Sequence, residues 1–308
     1  MPSLPRRAFL AAACFAAACT GAPSGPVPVR SHRFLACGAR TRIVEADGQS
    51  REIPIPTRDG QILPNGNALF AVSRCDAYPH GAVLEMTPAG EKAFEFAGTQ
   101  SEVNTAQRLQ DGNTMLTEAG PHPRILEVDP QGKVVVDVPI RCQLDNHHMQ
   151  SRMTRKLANG NYLVPQLLDR VVREYTPQGE VVWEFRTPDV PKEAWPFTAI
   201  RLGDGNTLVT CTHSDMAVEV DPWGRIVWQV SNADFAVPLL HDICGAERLP
   251  NGNTVLCSYA IGHAGTRLVE VDRQKRVVWT FAEPEGPGIH EVHVLATDGS
   301  PLTGTPLR

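Results

Sequence analysis

A five-residue phrase recurs along this chain and constrains it more than any other feature. It reads Leu63-Pro-Asn-Gly-Asn67, Leu109-Gln-Asp-Gly-Asn113, Leu157-Ala-Asn-Gly-Asn161, Leu202-Gly-Asp-Gly-Asn206 and Leu249-Pro-Asn-Gly-Asn253, with a degenerate copy at Leu295-Ala-Thr-Asp-Gly299. Its glycines stand at 66, 112, 160, 205, 252 and 299, so the period is 45 to 48 residues. A second phrase shares the period: a Glu flanked by apolar residues, at Glu45, Glu85, Glu127, Glu174, Glu219 and Glu270. Most copies continue through Asp/Thr-Pro-x-Gly into a Val-rich run ending at Val136, Trp183, Trp228 or Trp279. Each unit therefore holds four short β-rich runs separated by turn signals, the pattern of a propeller blade. The strands are designated a to d from the axis outward.

The count also predicts closure. One further period before Gly66 would put a turn near residue 19, ahead of the repeats. The first blade therefore lacks its own strand a and begins with strand b at Arg33-Phe-Leu-Ala-Cys37. Glu291-Val-His-Val-Leu295 reads as a strand a with nothing behind it. Joined, the two ends complete one blade. The expectation is an all-β fold, a six-bladed β-propeller over residues 32–308 closed by its C-terminal strand, with no open sheet edge at the seam. Gly 25 and Pro 26 make up about one residue in six, as so many turns require.

The N-terminus reads as an address. Arg6 and Arg7 precede a short apolar stretch from Ala8 to Ala18, too short to span a bilayer. Arg6-Arg7-Ala8-Phe9-Leu10 resembles a twin-arginine signal, and Ala16-Ala17-Ala18-Cys19 resembles a lipobox, which implies lipidation of Cys19. Ordinary signal-peptide cleavage is the alternative, and both export the chain. Residues 1–18 are thus an export signal and 19–31 a flexible tether. The expected place is the periplasm or cell envelope, with a lipid anchor in the membrane. Six cysteines follow Cys19, without a CxxC pair, and leave disulfides or buried free thiols equally open. A net charge of −5 with no basic run excludes nucleic acid as a partner.

Residues present in every copy belong to the scaffold, because each blade needs the same contacts with its neighbours. The repeated Glu and the strand d Trp are read that way. Function should lie in the unshared residues, and the histidines sort by position. His80, His122, His213 and His263 fall in b–c connections. His147, His148, His241 and His290 fall just before strand a, and His293 lies early in the closing strand. Only His32 lies outside this pattern. Both kinds of connection emerge on one face, and strand a lines the central channel. His148, His241 and His290 are therefore the candidate catalytic residues at the channel mouth, suited to proton transfer, nucleophilic attack or joint ligation of a divalent metal. Asn146, His147, Arg170, Asp242 and His293 are candidate ligand-binding residues, with Gln150, Arg152 and Asp215 as helpers on the same face. Trp195 and Phe197 could stack on a ring or cover the blade top.

The blade text Val-Glu-Val-Asp-Pro-x-Gly-x-Val-x-Trp resembles the repeats of PQQ-like propellers. Quinoprotein dehydrogenases of that type have eight blades against six here, which argues against bound PQQ. The segments His241-Asp-Ile-Cys-Gly-Ala-Glu-Arg-Leu-Pro-Asn-Gly-Asn253 and His147-His148-Met-Gln-Ser-Arg-Met-Thr-Arg-Lys-Leu-Ala-Asn-Gly-Asn161 are similar to those leading into the same turn in bacterial arylsulfotransferases. Those are exported six-bladed propellers whose channel histidines carry a transient sulfuryl group. The resemblance implies that role for His148, His241 and His290. The functional expectation is an exported propeller acting on a small anionic or carbohydrate-like molecule, by metal-assisted lyase or hydrolase chemistry or by histidine-mediated group transfer. The competing class is a non-catalytic binding or assembly lipoprotein that uses the propeller top as a docking disc.

Replacing Arg6 and Arg7 with lysine should leave unprocessed precursor in the cytoplasm, and Cys19→Ala should release the protein from the membrane fraction. Cell fractionation reads both, and unchanged export of the lysine variant would show that the pathway is not twin-arginine dependent.

Overall fold

The computed structural model describes residues 30–259, 265–283, 286, 288–303 and 307–308. The export signal, Cys19, nearly all of the tether and His263 lie outside the described residues. Six antiparallel sheets follow one another around an axis. Their inner strands are Ile289–Thr297, Thr57–Ile62, Glu102–Arg108, Arg155–Lys156, Trp195–Arg201 and Ile243–Arg248, for blades 1 to 6 in order. The helical content among the described residues is two single-turn 3-10 helices, His147–Met149 and Asn232–Asp234.

Closure is as expected. Ile289–Thr297 pairs with His32–Gly38, so the last inner strand completes the first blade. One element goes beyond the sequence reading. Asp298 and Gly299, both at positive φ, reverse the chain, and Ser300–Pro301 adds a fifth strand inside blade 1. The degenerate copy of the repeated phrase thus makes its own hairpin. In the regular copies the turn is a three-residue loop in which the Gly N–H returns to the Leu carbonyl, as Gly66 to Leu63 at 2.9 Å. Its glycine sits at φ 84° to 89°, where a side chain would be strained. Strand d runs three residues past the Trp that was expected to end it, as in Val181–Arg186 around Trp183.

Strands b and c are buried along most of their length, while strand d alternates toward solvent. The reason is stacking: each sheet is covered on both faces by its two neighbouring blades, so strands b and c read as mostly apolar runs. The core is accordingly divided into layers between blades. Ile200, Leu208 and Ala217 of blade 5 pack against Ile243, Leu256 and Val269 of blade 6, and the other junctions repeat this. Burying each such side chain contributes about 1.5–3 kcal/mol.

The repeated Glu is scaffold, as expected. Glu174 accepts from Asn161 of its own turn at 2.7 Å and from Arg201 of the next blade at 2.8 Å. Glu85 with Arg108, Glu127 with Lys156 and Glu219 with Arg248 repeat the arrangement. The cation is always the residue just before the repeated Leu. At the blade 6–1 junction His32 takes this place, its Nε2 at 2.8 Å from Glu270, and Arg30 joins it. The one histidine outside the sequence pattern is therefore part of the seam. Trp183 and Trp228 bind the following blade through indole N–H bonds to Pro222 and Arg273 carbonyls. The cysteines from Cys37 to Cys257 are all free thiols, four of them buried.

Glu219→Leu would leave Arg248 at the blade 5–6 junction without its carboxylate, while Arg273, 38% exposed, would keep its access to water. It should cost about 3 kcal/mol in urea unfolding. A variant as stable as the parent would show that apolar packing alone sets the blade spacing.

Candidate functional site

Strand a begins with a β-bulge in most blades. The pairing skips Arg58 in blade 2, Asn104 in blade 3, Phe197 in blade 5, Cys244 with Gly245 in blade 6 and His290 in blade 1. In blade 4 Arg152 occupies the same place, one residue after the isolated Ser151–Gln166 bridge. A bulge turns one extra side chain out of the ladder. Each of these residues stands five positions ahead of the repeated Leu, so a strict register carries six side chains of five kinds to the channel mouth: Arg, Asn, Arg, Phe, Cys and His.

Charge gathers on one side of this ring. Arg58 is 8% exposed and Arg152 is 1% exposed. Arg58 Nη2 lies 3.2 Å from Glu102 Oε2. Arg152 donates to the Ser151 and His148 carbonyls. Both Nε atoms are buried without a partner. Burial and then the like charge of Arg58 push Arg152 down to about 9, with Glu102 offsetting part of the fall. Two guanidinium groups thus face one carboxylate.

His148 stands over this pair with its side chain 54% exposed, and its Nδ1 lies 2.9 Å from Glu102 Oε1. Burial alone would raise Glu102, but the His148 hydrogen bond and the Arg58 and Arg152 charges hold it down to about 2. An ionised carboxylate can only accept, so the Glu102 contact assigns a hydrogen to His148 Nδ1, with Arg58 Nη2 3.4 Å from the same nitrogen; in the neutral ring of this tautomer the lone pair is on Nε2. His290 is different. Its ring lies between Tyr259, with centroids 4.2 Å apart, and Phe197, at 6.1 Å, both nearly parallel to it. Burial first, then the Arg58 and Arg152 charges, drive it down to about 3, and its buried Nδ1 has no partner. It is a neutral imidazole at pH 7. Met153, Leu167, Phe197 and Cys244 form an apolar floor beside these groups.

The structure brings together two of the three candidate catalytic histidines, His148 and His290. His241 ends the loop before blade 6, where its backbone N–H meets Ser258 Oγ. Among the described residues no three His, Cys, Asp or Glu side chains are arranged to hold a metal ion. Around His148 and His290 the setting is unfavourable to a cation: His148 Nδ1 is taken by Glu102, and two buried guanidiniums lie beside it. His293 is also displaced. Three residues along the strand from His290, it is 8% exposed, and its Nδ1 accepts from the Ile62 N–H at 3.0 Å. Strand geometry carries it into the channel and away from the mouth.

The remaining candidates shape the face around the mouth. His147 Nδ1 lies 2.8 Å from Ser101 Oγ, and Asn146 is exposed at the start of the single turn carrying both histidines. Gln150 is occupied by the Gly120 backbone. Arg170 at φ 56° holds Asp189, and Asp242 at φ 47° donates its N–H to Asp215, itself at φ 53°. His213, at φ 64°, is stacked under Trp195, which covers blade 5 as one of its two expected roles. Positive φ in residues other than Gly costs about 1–3 kcal/mol and collects at functional surfaces. Two concavities of about 470 Å3 lie on the outer rim, one against His122 and Cys142, the other against Phe235 and Val277. Neither contains a group of the mouth cluster.

Sequence reasoning missed Arg58, Glu102 and Tyr259. The signal for Arg58 was available: counting five residues back from each repeated Leu selects the bulged positions. Glu102 and Tyr259 had none, since their roles depend on neighbours from other blades.

No protein-family model matches the chain, and no curated protein matches its sequence. Solved structures do. A protein of unknown function from Bacteroides caccae superposes with a TM-score of 0.72 at 24% identity, over 85% of this chain and 98% of that one. A streptogramin B lyase matches at 0.58 and 11% identity, over 84% and 85%. A catalytically inactive histidine-to-alanine variant of virginiamycin B lyase from Staphylococcus aureus, solved with quinupristin, matches at 0.55 and 12%, over 82% and 85%. At these identities the likeness shows the propeller fold.

Because the folded pKa of His290 lies below the ordinary value of 6.5, the folded state binds fewer protons than the unfolded one. That stability is complete above pH 6.5 and is lost as pH falls toward 3. Arg58, Arg152 and His148 face the ring and oppose its protonation. Buried His293, Glu247 and Glu291 also titrate over this range and contribute alike to both proteins, so the test is a difference: between pH 6.5 and 4 the parent's thermal midpoint should fall relative to that of His290→Gln. A slope unchanged by His290→Gln would mean that this ring does not titrate on unfolding.

Proposed function

We propose that the protein binds a small anionic molecule at the channel mouth and acts on it as a lyase, with His148 as general base. The observation that carries this reading is the pair of buried guanidiniums, Arg58 and Arg152, beside a single carboxylate, Glu102, and each with an unpartnered Nε. Leaving such groups buried and unpaired is costly, and an anion arriving from the open side removes the cost. Guanidiniums favour carboxylate, sulfate and phosphate oxygens.

Glu102 holds His148 by Nδ1 and leaves Nε2 pointing its lone pair away from the protein contact. A C–H proton next to the anionic group passes to Nε2, the electron pair left behind expels the leaving group, and the imidazolium returns the proton to it. Charge developing on the substrate lies against Arg58 and Arg152, in a site walled by the Met153, Leu167, Phe197 and Cys244 floor. Neutral His290, fixed between Tyr259 and Phe197, adds a polar edge without competing for the anion. Two of the matching propellers are named as lyases, and one is named as inactive after loss of a histidine, which supports the choice of reaction class. Sulfuryl transfer through His148 is the second reading, favoured by the same exposed Nε2 beside two sulfate-binding guanidiniums. We place this activity in the cell envelope, with the propeller tethered through Cys19 and no nucleic-acid partner.

Calorimetric titration with sulfate, acetate and benzoate tests the site. Arg58→Ala and Arg152→Ala should each weaken anion binding by about tenfold or more. Once a substrate is found, His148→Ala should lower kcat by about 10²–10⁴-fold with KM little changed, and Glu102→Gln should shift the pH profile. His122→Ala, on the rim, should match the parent. If no anion binds, or if His148 tolerates Ala as well as His122 does, the docking-disc reading takes over.

A further inference from the structure

The channel itself carries a second, independent constellation. Beyond the mouth, Asp59 and Gln61 of blade 2, Arg155 of blade 4, Glu247 of blade 6, and Glu291 with His293 of blade 1 come from the inner strands. Asp59, Glu247 and Glu291 are at most 2% exposed. The blades supply one cation against these three carboxyl groups. Arg155 grips Asp59 with two nitrogens, at 2.9 and 3.1 Å, and lies 3.7 Å from Glu291. Glu291 Oε2 is left buried without a hydrogen bond.

A second guanidinium fills this space. After Ser300–Pro301 the chain re-enters at Leu307, whose carbonyl accepts from the Arg248 N–H of blade 6 at 2.8 Å. Arg308 is then 5% exposed inside the channel. Its Nη1 lies 3.3 Å from Asp59 Oδ1, its Nη2 3.4 Å from Gln61 Oε1, and its carbonyl accepts from Arg155 Nε at 2.8 Å. Asp59 and Glu291 directly follow Arg58 and His290 in the chain, so the strands that hold this guanidinium also present the mouth residues.

We infer that the propeller channel is an acidic receptor site for one guanidinium group, filled in cis by Arg308, which bridges the inner strands of blades 2, 4 and 6. The direction of each ionisation agrees. Burial would raise Asp59, but Arg155 and Arg308 hold it at about 2. Burial raises Glu291 to about 7 and Glu247 to about 8, with Arg308 opposing both. Burial would lower Arg308, and Asp59 first, then Glu291 and Glu247, keep it above its ordinary value. A planar fork suits this place better than an ammonium, because its nitrogens reach Asp59 and Gln61 together.

Chemical rescue tests the inference on the full chain. Arg308→Ala should lower the thermal midpoint by several degrees. Methylguanidinium at millimolar concentration should restore at least half of the loss in that variant and leave the parent unchanged. Methylammonium or sodium chloride at the same ionic strength should restore little. Should Arg308→Ala fail to fold, Arg308→Lys provides the second reading: it should fold, melt below the parent and gain nothing from methylguanidinium, since its own ammonium occupies the site. An Arg308→Ala midpoint equal to the parent's, or equal recovery with any salt, would overturn the receptor site. None of these readouts depends on an anion at the mouth, so this inference and the lyase reading can fail separately.

Discussion

The ion pair between the strand c glutamate of one blade and the cation ending strand a of the next sets the geometry of this propeller. A blade has no core of its own, since both of its faces are covered by neighbours. What it needs is a fixed spacing and angle to the next blade. Glu85, Glu127, Glu174 and Glu219 provide this by accepting from Arg108, Lys156, Arg201 and Arg248, and most also tie down the Asn of their own turn. Removal of one partner would leave a charge in a dry layer, so the register of adjacent blades is steeply specified. The indole beneath adds a second contact: Arg201 lies 4.9 Å from the Trp183 ring centre. At the seam between the two chain ends His32 does the work of the missing arginine, which lets a chain with no strand a of its own in blade 1 close the ring.

That register has a consequence at the mouth. With the end of strand a pinned by the cation and the repeated Leu, the residue five places earlier arrives at the same height in every blade. The bulge there frees it from pairing duties. The scaffold therefore holds six positions at which the repeat does not dictate the side chain. Here they carry two guanidiniums, an imidazole and an aromatic ring, with Glu102 supplying the single carboxylate. Local rules are broken at this place: buried donors lack acceptors, and nearby loops hold Asp, Arg and His at positive φ. Such departures are expected where function has a claim on the sequence.

In the channel below, Arg155 and Arg308 converge on Asp59, while Glu291 Oε2 stays without a hydrogen bond. The two sites share the strands Thr57–Ile62 and Ile289–Thr297, where Arg58 and His290 belong to the mouth and the residues directly after them, Asp59 and Glu291, to the channel. Mouth and channel are thus separated by one residue in sequence and joined by rigid backbone.

By itself the sequence determined the blade count, the four-stranded unit, the closing of blade 1 by the last inner strand, and the scaffold role of the repeated Glu. All of these follow from local periodicity, which needs no knowledge of distant contacts. It also assigned most of the histidines to one face, since they avoid the Asn-Gly turns. Only the tertiary structure decided which of them meet. His148 and His290 converge with Arg58, Arg152 and Glu102 because four blades bring them there. His293 goes into the channel because its place on the strand, three residues past His290, puts it there, where it binds the Ile62 N–H. The seating of Arg308 was likewise invisible, because it depends on contacts across the ring between residues far apart in sequence; the fifth strand is a local hairpin that the degenerate copy of the phrase left unread. A repeat is a local property that a chain states openly; a site assembled from unshared residues of separate repeats exists only once the ring has closed.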